Sequence, residues 1–200
     1  MRKLLLLSLA ILLLGVGCAS NTTNLSSIKW KTEHILNTEY GFEYNLQYPE
    51  EWKIDQADDH SVVIATETGV NESDSSFTAT TLATGPQAKD AAAIALFTKG
   101  VLERKYPASR VIEKTITIDG RNWQVLELKN VLVSARGPGE KKNPNADLVS
   151  GNAIFYFSDN VPYIVRIAFA LASKEQSKLE PIYQEMLKRF SIIPAVGPKK

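Results

Sequence analysis

Residues 40–53 read Tyr-Gly-Phe-Glu-Tyr-Asn-Leu-Gln-Tyr-Pro-Glu-Glu-Trp-Lys, and they decide the fold class. Every second position of the central part is aromatic or aliphatic: Phe42, Tyr44, Leu46 and Tyr48. That alternation is typical of a β-strand with one buried face. Pro49 ends the predicted strand, because proline has no N–H to donate to a sheet. The stretch therefore predicts a sheet whose apolar face must be covered.

Further strands and a first helix follow along the chain. Period-two patterns predict strands over residues 61–66, 77–83, 111–118, 122–133, 153–157 and 162–171. Between the second and third of these, Ile94, Phe97, Val101 and Leu102 recur at helical spacing. They predict a helix over residues 88–106 that lays this apolar face on the sheet.

A second helix is predicted to close the domain. Ser173 followed by Gln176 matches a capping box and predicts the start of the helix at Ser173. The apolar stripe of this helix consists of Leu179, Ile182, Tyr183, Met186, Leu187 and Phe190. Pro181 suits the first turn of a helix better than its interior, so a break there, with the main helix starting at Pro181, is also compatible with the sequence.

The order of these elements sets the fold class. Asp119-Gly120 joins two strand patterns and is a strong hairpin signal. Hairpins pair their strands in antiparallel fashion, and two amphipathic helices need an apolar sheet face to bury against. The sequence therefore predicts an α+β domain with a mainly antiparallel, twisted sheet flanked by helices.

Two motifs resemble the PsbP-like superfamily. The first is Tyr40-Gly41-Phe42 followed by Tyr48-Pro49-Glu50-Glu51-Trp52-Lys53, and the second is the closing helix that ends in Met-Leu-Lys-Arg-Phe-Ser-Ile at residues 186–192. The resemblance covers residues 38–193 and implies an α/β/α sandwich around an antiparallel sheet. Members of that superfamily mostly act as binding or assembly proteins without a shared active site. The resemblance therefore restricts function little.

The N-terminal residues read as an export signal. Arg2 and Lys3 precede an apolar run and then small residues up to Cys18, which is the layout of a secretory signal. Gly17-Cys18 resembles the lipobox of bacterial lipoproteins, although Gly15 stands where that pattern usually has leucine. We predict a signal peptide over residues 1–17, a lipidated Cys18 with a flexible tether over 18–37, the PsbP-like domain over 38–193 and a loose tail over 194–200.

Two other fates of this segment stay open: cleavage by ordinary signal peptidase after Gly17 or Ala19, or retention as an uncut anchor. Cys18 is the only cysteine in the chain, so an exported form has no disulfide partner within itself. Acylation explains a lone thiol at this place more simply. The lipoprotein resemblance implies two or three acyl chains on Cys18, which would anchor the protein to a membrane without spanning it. Ala19, where retained inner-membrane lipoproteins carry Asp, favours the outer membrane if the organism has one.

Charge and motifs exclude several function classes. The chain has 23 Lys and Arg against 22 Asp and Glu, so it lacks the basic balance typical of a nucleic-acid-binding domain. It contains no nucleophile elbow, zinc-protease, phosphate-loop or dinucleotide motif. A hydrolase would have to use His34 or His60, the two histidines, beside a serine hydroxyl. We therefore expect a protein that is not an enzyme and needs no cofactor.

Two clusters are candidate binding sites. Asp58-Asp59-His60 could hold a metal ion, but adjacent residues in an extended turn point in different directions, so a solvated acidic turn is the simpler interpretation. The Gly/Pro-rich loop over 134–150 carries Arg136, Lys141 and Lys142, which could contact an acidic protein face or anionic headgroups. An insertion tolerated at a loop tip is the alternative.

The function expected from the sequence is that of a lipid-anchored cell-envelope protein. It would bind or help to assemble a protein partner that the sequence does not identify, and it would not bind nucleic acid. The alternative is an envelope module that binds a small ligand or a metal ion in a pocket between sheet and helix.

Overall fold

The computed structural model describes residues 23–37, 42–56, 62–69, 75–83, 90–105, 110–129, 152–158 and 163–193. The strands are β1 (Trp30–Asn37), β2 (Phe42–Pro49), β3 (Lys53–Gln56), β4 (Val62–Thr66), β5 (Ser76–Ala83), β6 (Arg110–Ile118), β7 (Arg121–Lys129), β8 (Asn152–Ser158), β9 (Tyr163–Ala170) and β10 (Ser191–Ile193). The helices are α1 (Ala91–Lys105) and α2 (Gln176–Arg189), and single 3-10 turns span Leu25–Ser27 and Ser173–Glu175.

The strands form two sheets in which every pair is antiparallel. A seven-stranded sheet has the order β3-β4-β5-β9-β8-β7-β6, and a three-stranded sheet has the order β1-β2-β10. The predicted α+β class with a mainly antiparallel sheet and flanking helices is therefore confirmed. The predicted hairpin is also present: Ile118 pairs with Arg121, and the two turn residues Asp119 and Gly120 have φ of 50° and 72°. Positive φ at both central residues is the conformation that the Asp-Gly pair favours.

The main core lies between α2, the small sheet and one face of the large sheet. The Phe190 ring, just after α2, lies 5.1 Å from the Tyr44 ring on β2 and 5.8 Å from the Trp123 ring on β7. Tyr183 on α2 is 5.3 Å from Phe169 on β9. Aromatic pairs at these distances add to the stabilisation from area burial. The alternation first seen at residues 42–48 thus points one face of β2 into this core.

The start of α2 differs from the prediction. Ser173 lies in the 3-10 turn, and Glu175 is the N-cap residue, with no side-chain capping bond. Pro181 lies inside α2, which continues from Gln176 to Arg189. The predicted capping box and break are therefore wrong. Burial of the apolar stripe against the core explains why the helix tolerates a proline that removes one backbone hydrogen bond.

α1 covers the opposite face of the seven-stranded sheet. Ala91 and Ala95 pack with Leu126, Tyr156 and Ile164 in a smaller core cluster. Strand neighbours of these residues, at positions 125, 155 and 165, point into the main core instead, since successive side chains alternate across a strand. The two helices therefore lie on opposite faces of this sheet.

The apolar face predicted for α1 is wrong in part. Ile94 and Leu102 pack against the small cluster as expected, but Phe97 is 69% exposed and Val101 is 36% exposed. Small alanine side chains face the sheet in their place and allow the helix backbone to approach it closely. α1 therefore carries apolar residues on both its inner and its outer sides.

The folded part of the chain begins earlier than the expected boundary at residue 38. Residues 30–37 form β1, which pairs with β2 along its whole length. Before it, the Thr23 hydroxyl donates to the Lys178 carbonyl at 2.9 Å, and Leu25 and Ile28 pack against the main core. From Thr23 onwards the chain is thus docked on the domain, and the flexible tether expected over 18–37 is corrected for this part. Among the described residues, no helix is long and apolar enough to cross a membrane.

Candidate functional site

Several residues singled out from the sequence lie outside the described ranges. They are Cys18, Asp58, Asp59, His60, Arg136, Lys141 and Lys142. The anchor, the metal alternative at 58–60 and the partner contact over 134–150 therefore stay predictions. Within the residues that the structure does describe, no group of three or more His, Cys, Asp or Glu side chains is placed to hold a metal ion.

His34 lies on β1 at the surface. Its Nε2 is 3.0 Å from Glu43 Oε2 on the neighbouring β2, and both side chains are more than a third exposed. Exposed ion pairs contribute about 0–1 kcal/mol. The structure gives His34 a carboxylate neighbour of the kind common on sheet surfaces, and in the described ranges no serine hydroxyl bonds to it.

The three tryptophans serve mainly in packing. Trp52 and Trp123 are buried in the main core. Trp30 is half-buried on β1, and the Arg189 guanidinium carbon lies 4.6 Å from its ring centroid. This cation–π contact ties the end of α2 to the edge strand β1.

A surface pocket lies beside the docked N-terminal segment. It has a volume of about 440 Å³ and is lined by Ser27, Ile28, Lys29, Glu50 and Glu51. The Glu50 N–H donates to the Lys29 carbonyl at 2.9 Å, so the pocket is framed by a backbone contact between the start of β1 and the turn after β2. Three of these five lining residues are charged, two glutamates and one lysine, which suits a small polar ligand better than an apolar one.

The most unusual polar group in the described fold is Arg166, in the middle of β9. It pairs across strands with Thr80 on β5 and with Tyr156 on β8, so the three side chains stand in one row on the α1 side of the sheet. Arg166 is half-buried, and its Nη2 donates to Thr80 Oγ1 at 3.4 Å. Its Nε is buried and has no hydrogen-bond partner in the structure.

Tyr156 completes the row and links it to α1. Its hydroxyl donates to Thr98 Oγ1 on α1 at 2.9 Å. Burial raises the pKa of Tyr156, while the Thr98 hydrogen bond and the nearby Arg166 charge act in the opposite direction. Tyr156 is therefore a neutral hydroxyl at ordinary pH, and its O–H is already used within the fold. The Arg166 guanidinium is left as the charged group of the row.

Sequence reasoning missed Arg166, although a signal exists. Residues 163–170 read Tyr-Ile-Val-Arg-Ile-Ala-Phe-Ala, so one arginine interrupts a strand that is otherwise apolar. A charge inside such a run usually needs a partner when the strand is central in its sheet. Thr80 and Tyr156 are buried, so the half-buried Arg166 guanidinium is the group of the row that an anion could reach. The three groups include no nucleophile paired with a base.

Comparisons with known proteins identify the fold. No family model matches the sequence, and no curated protein matches it. The solved structure of cyanobacterial PsbP (CyanoP) from Synechocystis is similar over 81% of this chain and 92% of that chain, with 14% sequence identity and a TM-score of 0.51. The crystal structure of LpqN from Mycobacterium tuberculosis, described as involved in cell envelope biogenesis, is similar over 82% of this chain and 92% of that chain, with 13% identity and a TM-score of 0.51. The chain thus has a PsbP-like fold, as the two sequence motifs predicted.

Proposed function

We propose that this chain is a lipid-anchored protein of the bacterial cell envelope that binds a protein partner and catalyses no reaction. The sequence layout around Cys18, with a basic start, an apolar run and small residues, supports the anchor. A fold shared with LpqN, which is described as involved in cell envelope biogenesis, supports the location. The sequence, which has no nucleophile elbow, zinc-protease, phosphate-loop or dinucleotide motif, supports a role without catalysis.

The observation that carries the proposal is the docking of Thr23 on α2. Thr23 follows Cys18 by five positions, and its hydroxyl is bonded to the Lys178 carbonyl. Five residues span at most about 18 Å when fully extended. An acylated Cys18 would thus hold the α2 side of the domain close to the headgroups, and α1 would face away from the membrane.

The anchor is tested in the native host by membrane fractionation and mass spectrometry of the N-terminus. We expect the mature chain to start at Cys18 with a diacylglyceryl group, and the protein to stay with membranes after a high-salt wash. Cys18→Ser should release it into the soluble fraction, whereas the nearby control Ser20→Ala should leave it anchored. A mature N-terminus without lipid, with the wild-type protein in the soluble fraction, would refute the anchor.

Partner binding is tested by affinity capture from native membranes after chemical cross-linking. We expect the anchored form to capture a defined protein that the Cys18→Ser form captures less, because the anchor concentrates both proteins at one surface. If the two forms capture the same background proteins in equal amounts, the binding proposal fails.

The pocket beside Glu50 and Glu51 favours a second candidate, binding of a small polar ligand. A thermal-shift screen with small polar metabolites tests it, because a ligand of the native state raises the unfolding midpoint. Lys29→Ala and Glu50→Gln should each abolish a genuine shift caused by this pocket. An unchanged midpoint across the screen would count against this candidate and leave partner binding in place.

A further inference from the structure

We propose that the α1 side of the seven-stranded sheet binds an acidic peptide segment of the partner protein, and that Arg166 takes the carboxylate. This inference rests on the proposed binding function and names the chemistry of the surface that performs it. We call this surface the Arg166 shelf. It consists of Arg166, Thr80 and Thr78 on the sheet, with Phe97 and Val101 on α1 beside them.

The hydrogen bonding of Arg166 is the first argument. A guanidinium group has five N–H donors in a planar fork. Among the described residues, Arg166 forms one bond to another side chain, to Thr80 at 3.4 Å, which is near the limit for a hydrogen bond. A half-buried guanidinium with a buried, unbonded Nε is unfavourable unless an acceptor reaches it. A carboxylate arriving from solvent would bond to the Nη atoms of this fork, not to the buried Nε, and two parallel bonds to them would give the guanidinium its acceptor.

The charges nearby give the second argument. On the same side of the sheet, Glu113 is bonded to Lys99 of α1 at 3.3 Å. That carboxylate thus has a lysine partner, and within the described ranges no acidic side chain forms an ion pair with Arg166. The unneutralised charge of this surface is therefore positive, which complements an acidic ligand.

The position of the exposed apolar residues gives the third argument. Lys99 reaches β6, and Thr98 reaches Tyr156 on β8. Phe97 and Val101 are each two positions from Lys99, so they lie about 200° around the helix from it. They therefore lie on the flank of α1 that faces away from β6, towards β9 and β5. Both are exposed, so they give α1 an apolar flank on the side nearer to β9, the strand that carries Arg166.

The floor of the shelf beyond Thr80 has small side chains. Thr78 on β5 and Ala168 on β9 are cross-strand partners. Each is two residues along its strand from Thr80 or Arg166, so both lie on the same face as Arg166. Their side chains are small and half-buried. α1 packs on β6, β7 and β8. The part of the sheet formed by β9 and β5 therefore lies to one side of this helix. A short extended peptide could lie on these small side chains. Its acidic residue would meet the Arg166 guanidinium, and an adjacent apolar residue would meet Phe97 and Val101.

A peptide suits the shelf better than a lipid. The exposed apolar flank of α1 is small, whereas an acyl chain needs a long cavity that removes most of its surface from water. The shelf also lies on the opposite face of the sheet from α2, where the N-terminal segment docks. An anchored protein would therefore turn the shelf away from its own membrane.

The test uses the full chain purified from membranes in detergent and a phage library of random nine-residue peptides. We expect enriched peptides to carry Asp or Glu beside an apolar residue. A labelled enriched peptide should bind at least tenfold more weakly to Arg166→Gln, and Arg166→Lys should also weaken it because an ammonium group cannot form the planar fork. Phe97→Ser, a change at an exposed position, should weaken binding as well. Arg110→Gln removes the same charge from an exposed position on β6 and should bind within twofold of the wild type.

Three results would overturn the inference. They are enriched peptides without acidic residues, binding that is equal in the wild type and Arg166→Gln, and binding that depends on Arg166 but is stronger for phosphatidylglycerol vesicles than for any peptide. Thermal unfolding checks the folding of each variant, and Arg166→Gln should unfold at or above the wild-type midpoint because a poorly neutralised charge is removed. A Cys18 that carries lipid together with a negative peptide result would refute the shelf and keep the anchored-protein proposal.

Discussion

We expect replacement of Ser75 by alanine to lower the free energy of unfolding substantially, although it removes a single oxygen atom. Ser75 lies just before β5 and is 1% exposed. Its hydroxyl donates to Glu175 Oε2 at 2.5 Å and accepts the Ala172 N–H at 2.9 Å. The hydroxyl thereby joins the start of β5 to the segment that leads from β9 into α2.

The expected magnitude follows from what each partner loses. The Ala172 N–H is buried, and loss of its acceptor leaves an unsatisfied donor, which costs about 1–3 kcal/mol. The Glu175 carboxylate loses a charge-assisted donor, but it is only half-buried, so water replaces most of that interaction. We therefore expect the free energy of unfolding to fall by about 2–3 kcal/mol, a large part of the stability of an ordinary domain.

Urea unfolding of the purified full chain, followed by tryptophan fluorescence, measures this loss. With a typical slope, a fall of that size lowers the urea midpoint by roughly 1–2 M while the slope stays unchanged. Ser76→Ala is the matched control, because Ser76 is the next residue in the chain and its hydroxyl takes part in neither bond. If Ser75→Ala unfolds within about 0.5 kcal/mol of the wild type, a range normal for surface substitutions, the proposed joining role is wrong.

Three further predictions concern buried aromatic residues. Tyr183→Phe should leave the free energy of unfolding unchanged or raise it by up to about 1 kcal/mol, because within the described structure the buried Tyr183 hydroxyl has no hydrogen-bond partner. A loss above about 1 kcal/mol in urea unfolding would show that the hydroxyl does have a partner. Burial raises the pKa of Tyr44 and of Tyr183, the latter also through nearby carboxylates, so the unfolded chain releases these protons near pH 10 while the folded chain keeps them. Stability should therefore fall above pH 10, by about 1.4 kcal/mol per tyrosine at pH 11, and Tyr44→Phe should reduce that slope in unfolding curves from pH 8 to 11. Phe190→Ala should cost about 3–5 kcal/mol and the exposed control Phe97→Ala less than about 0.5 kcal/mol, as measured by thermal or urea unfolding; equal losses would contradict the described core.

The fold class was predictable because its signals are local. The alternation over residues 42–48 and the Asp119-Gly120 turn depend on neighbours in sequence, and both predictions are confirmed. The outer face of α1 was not predictable in the same way. Apolar residues lie on more than one side of this helix, so spacing alone cannot tell which side meets the sheet. Close packing of Ala91 and Ala95 decided the outcome.

The candidate site was not predictable because it depends on register between distant strands. Thr80 and Arg166 are 86 positions apart in sequence and become neighbours only when β5 pairs with β9. A slip of one residue in that pairing would turn Arg166 towards the main core. Sequence patterns predict the strands but do not fix this pairing, so a single arginine in an apolar run gave no indication of its neighbours.

The two faces of the seven-stranded sheet divide the proposed roles between them. α2 and the aromatic core lie on one face, and the docked N-terminal segment adds Thr23 to that side. α1 and the Arg166 row lie on the other face. The sheet is a continuous hydrogen-bonded layer. The short segment from Cys18 to Thr23 would therefore set the orientation of both of its faces relative to the membrane. Free rotation at the membrane would need a longer undocked segment, so the docking of Thr23 would present the Arg166 shelf to partners that approach from the side away from the anchoring membrane.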